Sequence, residues 1–145
     1  MAHEDAGHYA AKHPPNTNLN TGIAEAVNHV IKNGKISCAA AHKIAREMKV
    51  PPADVGVTID LLEARINRCQ LGLYGYAPEK RIVKPADDVP KELEKTIKDS
   101  LIDDRLPCKI SWGIAEKFGI SRMNISAACE TLSIKISACQ LGSFR

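Results

Sequence analysis

Four of the five cysteines stand in two pairs with equal spacing. Cys38 and Cys69 are 31 residues apart, and so are Cys108 and Cys139. Such pairs could form redox couples, or could provide thiolate ligands for zinc or an iron-sulfur cluster, which bind four ligands of this kind. The chain has no C-x-x-C motif, however, and cysteine is among the residue types most often buried in protein cores. We therefore expect packed, reduced thiols and no metal, with Cys38, Cys69, Cys108 and Cys139 as weak metal-ligand candidates.

The remaining residue types that often take part in catalysis do not form a known catalytic motif in this sequence. The sequence contains no glycine-rich phosphate loop and no nucleophile elbow. Three of its five histidines lie within the first 13 residues, and the other two, His29 and His42, are isolated. Asp99, Asp103 and Asp104 lie at helical spacing, which is more typical of a solvated helix face. We expect neither an enzyme nor a bound cofactor.

Composition and charge define the class of protein only broadly. The 145 residues are 44% apolar and 26% charged, as in soluble globular proteins, and could form one domain or two small ones. No apolar run reaches bilayer-spanning length, and the N-terminus lacks the apolar core of a signal peptide. We therefore expect a cytoplasmic protein with no membrane partner. A net charge of +3 leaves nucleic-acid binding open.

The chain contains an internal repeat. The tetrapeptide CQLG occurs at residues 69–72 and 139–142, an offset of 70, and at this offset nine of the forty pairs from 36/106 to 75/145 are identical. Chance similarity rarely keeps its register over such a length, so the pattern indicates a duplication. The predicted organisation is a disordered tail at 1–18, repeats at 19–75 and 89–145, and between them residues 76–88, a linker in which 81–84 could form an extra strand.

Each repeat has the hydrophobic pattern of three helices and two short strands. Apolar residues recur at helical spacing, and Gly and Pro separate the segments. In the first repeat we predict helices from Thr21 to Asn33, from the Ala-rich segment to Met48, and from Ala53 to about Ala64, with extended pieces at 35–37 and 65–70.

The second and third helices carry a helix-turn-helix pattern. Two short helices that cross steeply need a small residue at the crossing and a turn that favours Gly. They also need a branched residue in the third helix that packs against the second. The second repeat places Ala115, Gly119 and Ile125 at these positions. The first repeat has Ala45, Lys49 and Val55 at the same spacing.

The segments that carry this pattern are IAEKFGISRMNIS (114–126) and IAREMKVPPADVG (44–56), each followed by a predicted strand. They resemble the winged helix-turn-helix domains of bacterial transcriptional regulators. The resemblance implies a mainly α fold with short β strands, built as two tandem three-helix winged helix-turn-helix units. It also implies DNA as the partner, with the third helix of a unit in the major groove.

The two repeats differ at the positions that would face DNA. The first repeat offers Pro52 and Asp60 there and no cation, so we expect it to pack on a protein partner or to form a homodimer. The second repeat offers one Arg and two hydroxyls. Its expected DNA-binding residues are Ser121, Arg122, Met123 and Ser126, with Lys135, Arg65 and Arg68 on or beside the strands as phosphate contacts.

The sequence therefore favours a DNA-binding, transcription-regulating protein in which the second repeat makes most DNA contacts. An alternative is a tandem winged-helix adaptor that binds only protein. A less favoured alternative is a thiol-based redox or metal sensor on the same scaffold.

Overall fold

The computed structural model describes residues 9–79 and 81–145. The chain divides into two compact units, each of which contains one of the repeats. Of the described residues, unit 1 comprises 9–69 together with Gln140–Phe144, and unit 2 comprises 70–79 and 81–139 with Arg145.

The same five elements occur in the same order in both units, and the fold is mainly α with short β strands, as predicted. Every element of unit 2 begins 70 residues after its counterpart in unit 1. Unit 1 contains a 3₁₀-helix (Tyr9–Lys12), then α1 (Thr21–Val30), β1 (Lys35–Ser37), α2 (Cys38–Met48), α3 (Pro52–Leu61) and β2 (Arg65–Asn67). Unit 2 contains α4 (Lys91–Asp99), β3 (Arg105–Pro107), α5 (Cys108–Phe118), α6 (Arg122–Thr131) and β4 (Lys135–Ser137).

The segments that flank the helices differ from expectation. Part of the expected disordered tail forms the 3₁₀-helix, whereas residues 1–8 lie outside the described residues. The first helix is capped by Asn20, whose side chain accepts a hydrogen bond from the Ile23 N–H, and it ends at Val30. Residues 81–84 form no strand, so the extra strand considered for this segment is absent.

Each unit contains a two-stranded parallel sheet. In unit 1, Lys35 pairs with Arg65 and Ile36 with Ile66, and α2 and α3 form the crossover between the strands. Unit 2 repeats this arrangement with β3 and β4. A wing would require an antiparallel hairpin after the third helix. Within residues 9–79 and 81–145, the strand after each third helix pairs only with the strand before the second helix, so no such hairpin is formed there.

The corner between the second and third helices has the geometry that the sequence pattern predicts. Ala115 and Ile125 are buried, and Gly119 between them adopts the left-handed conformation with φ +65°. The Ile120 N–H closes the corner by donating to the Ala115 carbonyl at 3.0 Å. In unit 1 the residue in the left-handed conformation is Lys49, with φ +57°.

Branched aliphatic side chains form the cores. In unit 1, Val27, Val55 and Ile59 are fully buried, and Leu141 of the C-terminal segment is 2% exposed. In unit 2 the corresponding positions include Ile97 and Ile125. None of the helices in residues 9–79 and 81–145 has the length and apolar character that crossing a bilayer requires.

The Lys49 corner provides a first test. We expect Lys49→Gly to raise the free energy of unfolding by about 0.5–1 kcal/mol. Relief of the left-handed strain, about 1–2 kcal/mol, exceeds the extra chain entropy that glycine loses on folding. Lys49→Ala removes the same charge but keeps the strain, so it should have little effect in urea denaturation. Equal gains for both variants would show that the charge, not the backbone, determines the change.

A second test uses two helical glycines with different surroundings. A Cβ added at Gly56 in α3 would overlap the Leu141 carbonyl oxygen, whereas a Cβ at Gly113 in α5 would meet no atom within 4 Å. Gly56→Ala should therefore lower the free energy of unfolding by about 1–3 kcal/mol. Gly113→Ala should raise it by about 0.5–1 kcal/mol. Thermal unfolding of both variants measures the difference, and a Gly56→Ala protein as stable as the wild type would contradict the packing of residues 140–144 against α3.

Candidate nucleic-acid interface

The residues at the N-terminus of α6 form a helix cap and side-chain contacts within unit 2. The Ser121 hydroxyl caps the helix by accepting a hydrogen bond from the Asn124 N–H at 3.1 Å. The Arg122 guanidinium lies 3.5 Å from the centre of the Trp112 ring, and its Nη1 donates to Gln70 Oε1 at 3.3 Å. Arg122 is therefore half-buried and held by a cation–π contact rather than extended into solvent.

Ser126 does not face the surface, contrary to the sequence prediction. It is 1% exposed, and its Oγ has no hydrogen-bond partner among the described residues. Ser126 lies between two buried residues of α6, Ile125 and Ala128, so its side chain belongs to the inward face of the helix. A side chain in this position cannot contact DNA while the unit is folded.

The C-terminal half of α6 is contacted on its outward side by residues 81–86, which we call the covering segment of unit 2, whereas Ser121 and Asn124 at its N-terminus are exposed. Arg81 forms an ion pair with Glu130. The Ala86 N–H donates to the Ala127 carbonyl at 3.1 Å, and the Thr131 hydroxyl donates to the Ala86 carbonyl at 2.7 Å. Positions 127 and 130, which a groove-bound helix would turn toward DNA, thus contact the protein itself.

Residues 9–13, the covering segment of unit 1, contact α3 and its C-terminal turn in a comparable way. Lys12 Nζ and His13 Nε2 lie 3.2 and 2.8 Å from the Asp60 carboxylate. The Glu63 carboxylate accepts hydrogen bonds from the N–H groups of residues 9 and 10. Burial raises the pKa of Asp60, although its contacts with His13 and Lys12 act in the opposite direction.

Three cations lie side by side at the sheet of unit 1. Asn33 and Gly34, with φ +54° and +72°, form a two-residue turn in which Lys32 and Lys35 exchange backbone hydrogen bonds of 3.0 Å. Lys35 also pairs with Arg65 across β1 and β2. Laterally paired residues project on the same face of a sheet, so the three side chains form a row, which we call the basic row.

The basic row is exposed, and Arg68 extends the positive charge beyond β2. All four cations are solvent-exposed, and within the described part of the chain none of them forms an ion pair with a carboxylate. The sequence predicts Arg65 and Arg68 as phosphate contacts but not Lys32 or Lys35. The signal that could have identified the lysines is Asn33-Gly34, a strong predictor of a tight hairpin turn, which brings the residues on either side of it together.

The equivalent surface of unit 2 is less basic. Its row contains Ile102, Arg105 and Lys135, so one cation is replaced by an apolar residue. The turn residues are Asp103 and Asp104, both exposed, in place of Asn and Gly. Two carboxylates beside two cations leave little net charge for an anionic partner.

The cysteines lie in the interior. Four are buried and Cys139 is half-buried, and all five are thiols. The strand registers place Cys38 and Cys69 at the same end of one sheet, and Cys108 and Cys139 at the same end of the other. Burial raises the pKa of the Cys129 thiol to about 11, with a smaller contribution from the charge of Glu130. No group of three or more potential metal ligands occurs among residues 9–79 and 81–145.

The chain matches no protein-family model, and no curated protein or solved structure is found to be similar to it. The resemblance to winged helix-turn-helix domains therefore rests on the residues of the second and third helices alone.

Ser126 provides a test of the inward orientation of its side chain. Ser126→Ala should raise the free energy of unfolding by about 1 kcal/mol, because it removes a buried hydroxyl that has no partner among the described residues. The matched control is Ser111→Ala, since the buried Ser111 hydroxyl donates to the Cys108 carbonyl at 2.6 Å. That change should lower stability by about 1 kcal/mol. Chemical denaturation gives both values, and a destabilised Ser126→Ala protein would show that the hydroxyl forms a bond.

Proposed function

We propose that the protein binds DNA through its phosphate backbone, with the basic row and Arg68 as the main contact surface, and that it acts as a regulatory rather than a catalytic protein. The observation that carries the proposal is the lateral alignment of Lys32, Lys35 and Arg65 on one face of the sheet. DNA remains the partner, as the sequence suggests, but the main contact lies in the first repeat rather than in the second.

The arrangement of the basic row supports a polyanionic partner. Neighbouring strands lie about 4.8 Å apart, so the three side chains leave the sheet close together and their like charges repel one another. Like charges directly opposite each other destabilise a sheet. Binding of phosphates removes this repulsion and releases the counterions that surround DNA, which makes the complex favourable at low salt.

The charge distribution between the units also supports the first repeat as the contact. Residues 9–69 contain eight Lys or Arg against five Asp or Glu. Among the five carboxylates, Asp60 and Glu63 already contact the covering segment of unit 1. Half of the eight cations, Lys32, Lys35, Arg65 and Arg68, lie at or beside the sheet, and within the described part of the chain they form no ion pair.

Phosphate contacts predict a particular kind of binding. They position a protein on the duplex but carry no direct sequence information. The contacts that residues 81–86 make with the C-terminal half of α6 agree with this mode, because no base-reading helix needs to enter a groove. The protein should bind duplexes of different sequence with similar affinity, and its affinity should fall steeply with salt.

The double variant Lys35→Gln/Arg65→Gln should weaken binding to a duplex of arbitrary sequence by roughly ten-fold or more at moderate salt. Each lost phosphate contact should lower the slope of log K against log salt by about one, so we expect a decrease of about two. Fluorescence anisotropy across a salt titration measures both quantities.

The matched control is Arg105→Gln/Lys135→Gln, which removes the same charge from the same sheet positions of unit 2. Because Asp103 and Asp104 already offset these cations, we expect less than half of the effect. Equal losses for the two double variants would indicate that net charge, not the basic row, determines affinity. If the wild type shows no salt-dependent DNA binding, the DNA proposal fails and the protein-adaptor hypothesis gains support.

A further inference from the structure

We propose that Asn33 is a spontaneous modification site, at which loss of the side-chain amide places a negative charge in the middle of the basic row and weakens DNA binding. The modification itself follows from the chemistry and the exposure of the turn at residues 33 and 34. Its effect on DNA rests on the proposed function.

The residue after Asn33 makes its side chain reactive. The chain has seven asparagines, and only Asn33 precedes a glycine. In the reaction, the backbone nitrogen of Gly34 attacks the side-chain carbonyl carbon of Asn33, a C–N bond forms, and the side-chain nitrogen leaves as ammonia. Water then opens the cyclic imide to aspartate or isoaspartate. Because glycine has no Cβ, residue 34 does not hinder the approach of its nitrogen to the side chain.

Both residues of the turn are accessible to water. Asn33 and Gly34 are exposed, and a Cβ added at Gly34 would meet no atom within 4 Å. Hydroxide and water can therefore reach the amide. Within the described part of the chain, the Gly34 N–H donates no backbone hydrogen bond, so no backbone carbonyl competes for the attacking nitrogen.

The closed turn fixes the backbone of residues 33 and 34, so the attack proceeds from a locally opened turn. The closed form is held by the two hydrogen bonds between Lys32 and Lys35, and by the Arg65 N–H, which donates to the Gly34 carbonyl at 2.8 Å. The like charges of these three residues oppose the closed form. Exposed turns of this kind open locally at a small cost in free energy. The neighbouring cations also stabilise the negative charge that passes to the side-chain oxygen of Asn33 during the attack.

Unit 2 shows that an aspartate product fits the turn. The residue at the equivalent position is Asp103, with φ +51° against +54° at Asn33. The residues on either side of that turn exchange backbone hydrogen bonds of 2.8 and 3.0 Å, as in unit 1. An aspartate at position 33 therefore keeps the basic row in place. Isoaspartate routes the main chain through the side-chain carbon, which lengthens the turn and separates Lys32 from Lys35.

A carboxylate at position 33 offsets part of the positive charge of the basic row. The row and Arg68 form no ion pair within the described part of the chain. After the reaction, a negative charge lies between Lys32 and Lys35 in the sequence, as Asp103 lies beside the row of unit 2. It attracts the neighbouring cations and repels phosphates, and both effects lower the affinity for DNA.

The first test follows the full chain during incubation at mildly alkaline pH, which deprotonates more of the Gly34 amide. Peptide mapping by mass spectrometry should detect aspartate and isoaspartate at Asn33 before any product at Asn124, an exposed asparagine that precedes isoleucine. Reaction of Asn124 as fast as that of Asn33 would overturn the modification site, while DNA binding by the basic row would stand.

Two variants connect the modification with DNA. Asn33→Asp carries the charge of the product, so it should bind a duplex of arbitrary sequence about three-fold more weakly, with a slope of log K against log salt lower by about one. Asn33→Gly suits the positive φ and has no side chain to react. Its affinity should equal that of fresh wild type and stay constant during the incubation, whereas the affinity of wild type falls toward that of Asn33→Asp.

The matched control for position is Asp103→Asn, which removes a carboxylate from the equivalent turn of unit 2. It should strengthen binding by less than half of the effect of Asn33→Asp on a logarithmic scale. Equal and opposite effects, or an Asn33→Asp protein that binds as tightly as wild type, would overturn the effect proposed for the basic row. If the wild type shows no salt-dependent DNA binding, the proposed function fails, and peptide mapping still decides whether Asn33 is modified.

Discussion

The left-handed corner between the second and third helices is the constraint on which each unit depends. One residue, Lys49 or Gly119, reverses the chain so that the third helix packs back on the second through Val55 or Ile125. This reversal returns the chain to the level of the first strand, and the strand after the third helix can then pair with it in parallel. A different corner would send that strand elsewhere, and Arg65 would not lie beside Lys35.

The basic row is a consequence of this geometry and of one turn. The tight turn at Asn33-Gly34 adds Lys32 to the pair that the parallel strands create. Unit 2 has the same backbone, because Asp103 and Asp104 also adopt positive φ values, of 51° and 64°. The duplication therefore preserved the path of the chain while the charges diverged, and it is side-chain charge rather than fold that distinguishes the two sheets.

Much of this fold could be predicted from local sequence patterns. The contacts between segments that are distant in sequence could not be predicted. The offset of 70 and the spacing of Ala115, Gly119 and Ile125 depend on neighbouring residues or on exact repetition, and both appear in the structure. The parallel pairing and the covering segments depend on which distant segments meet, about which hydrophobic periodicity carries no information. Ser126 illustrates the limit: a small polar residue on an amphipathic helix suggests a surface position, but α6 is buried over a wide face that includes Ser126 and Cys129.

The carboxylates at the equivalent positions Asp60 and Glu130 connect these observations. On a helix that enters a groove they would repel phosphates, so their retention in both copies makes sense when that face contacts the protein's own cations.

The two pairs differ in burial. Because burial raises the pKa of Asp60, the folded unit 1 binds a proton at this carboxyl more tightly than the unfolded chain does. Stability from this group is thus fully present below its unfolded pKa and is lost as pH rises through the raised value. Above that value, the ionised and desolvated carboxylate destabilises the folded unit, and Lys12 and His13 offset only part of this cost. The exposed Arg81–Glu130 pair carries a smaller desolvation cost, so the two covering segments are held by the same type of contact but with a different balance of Coulomb attraction and hydration.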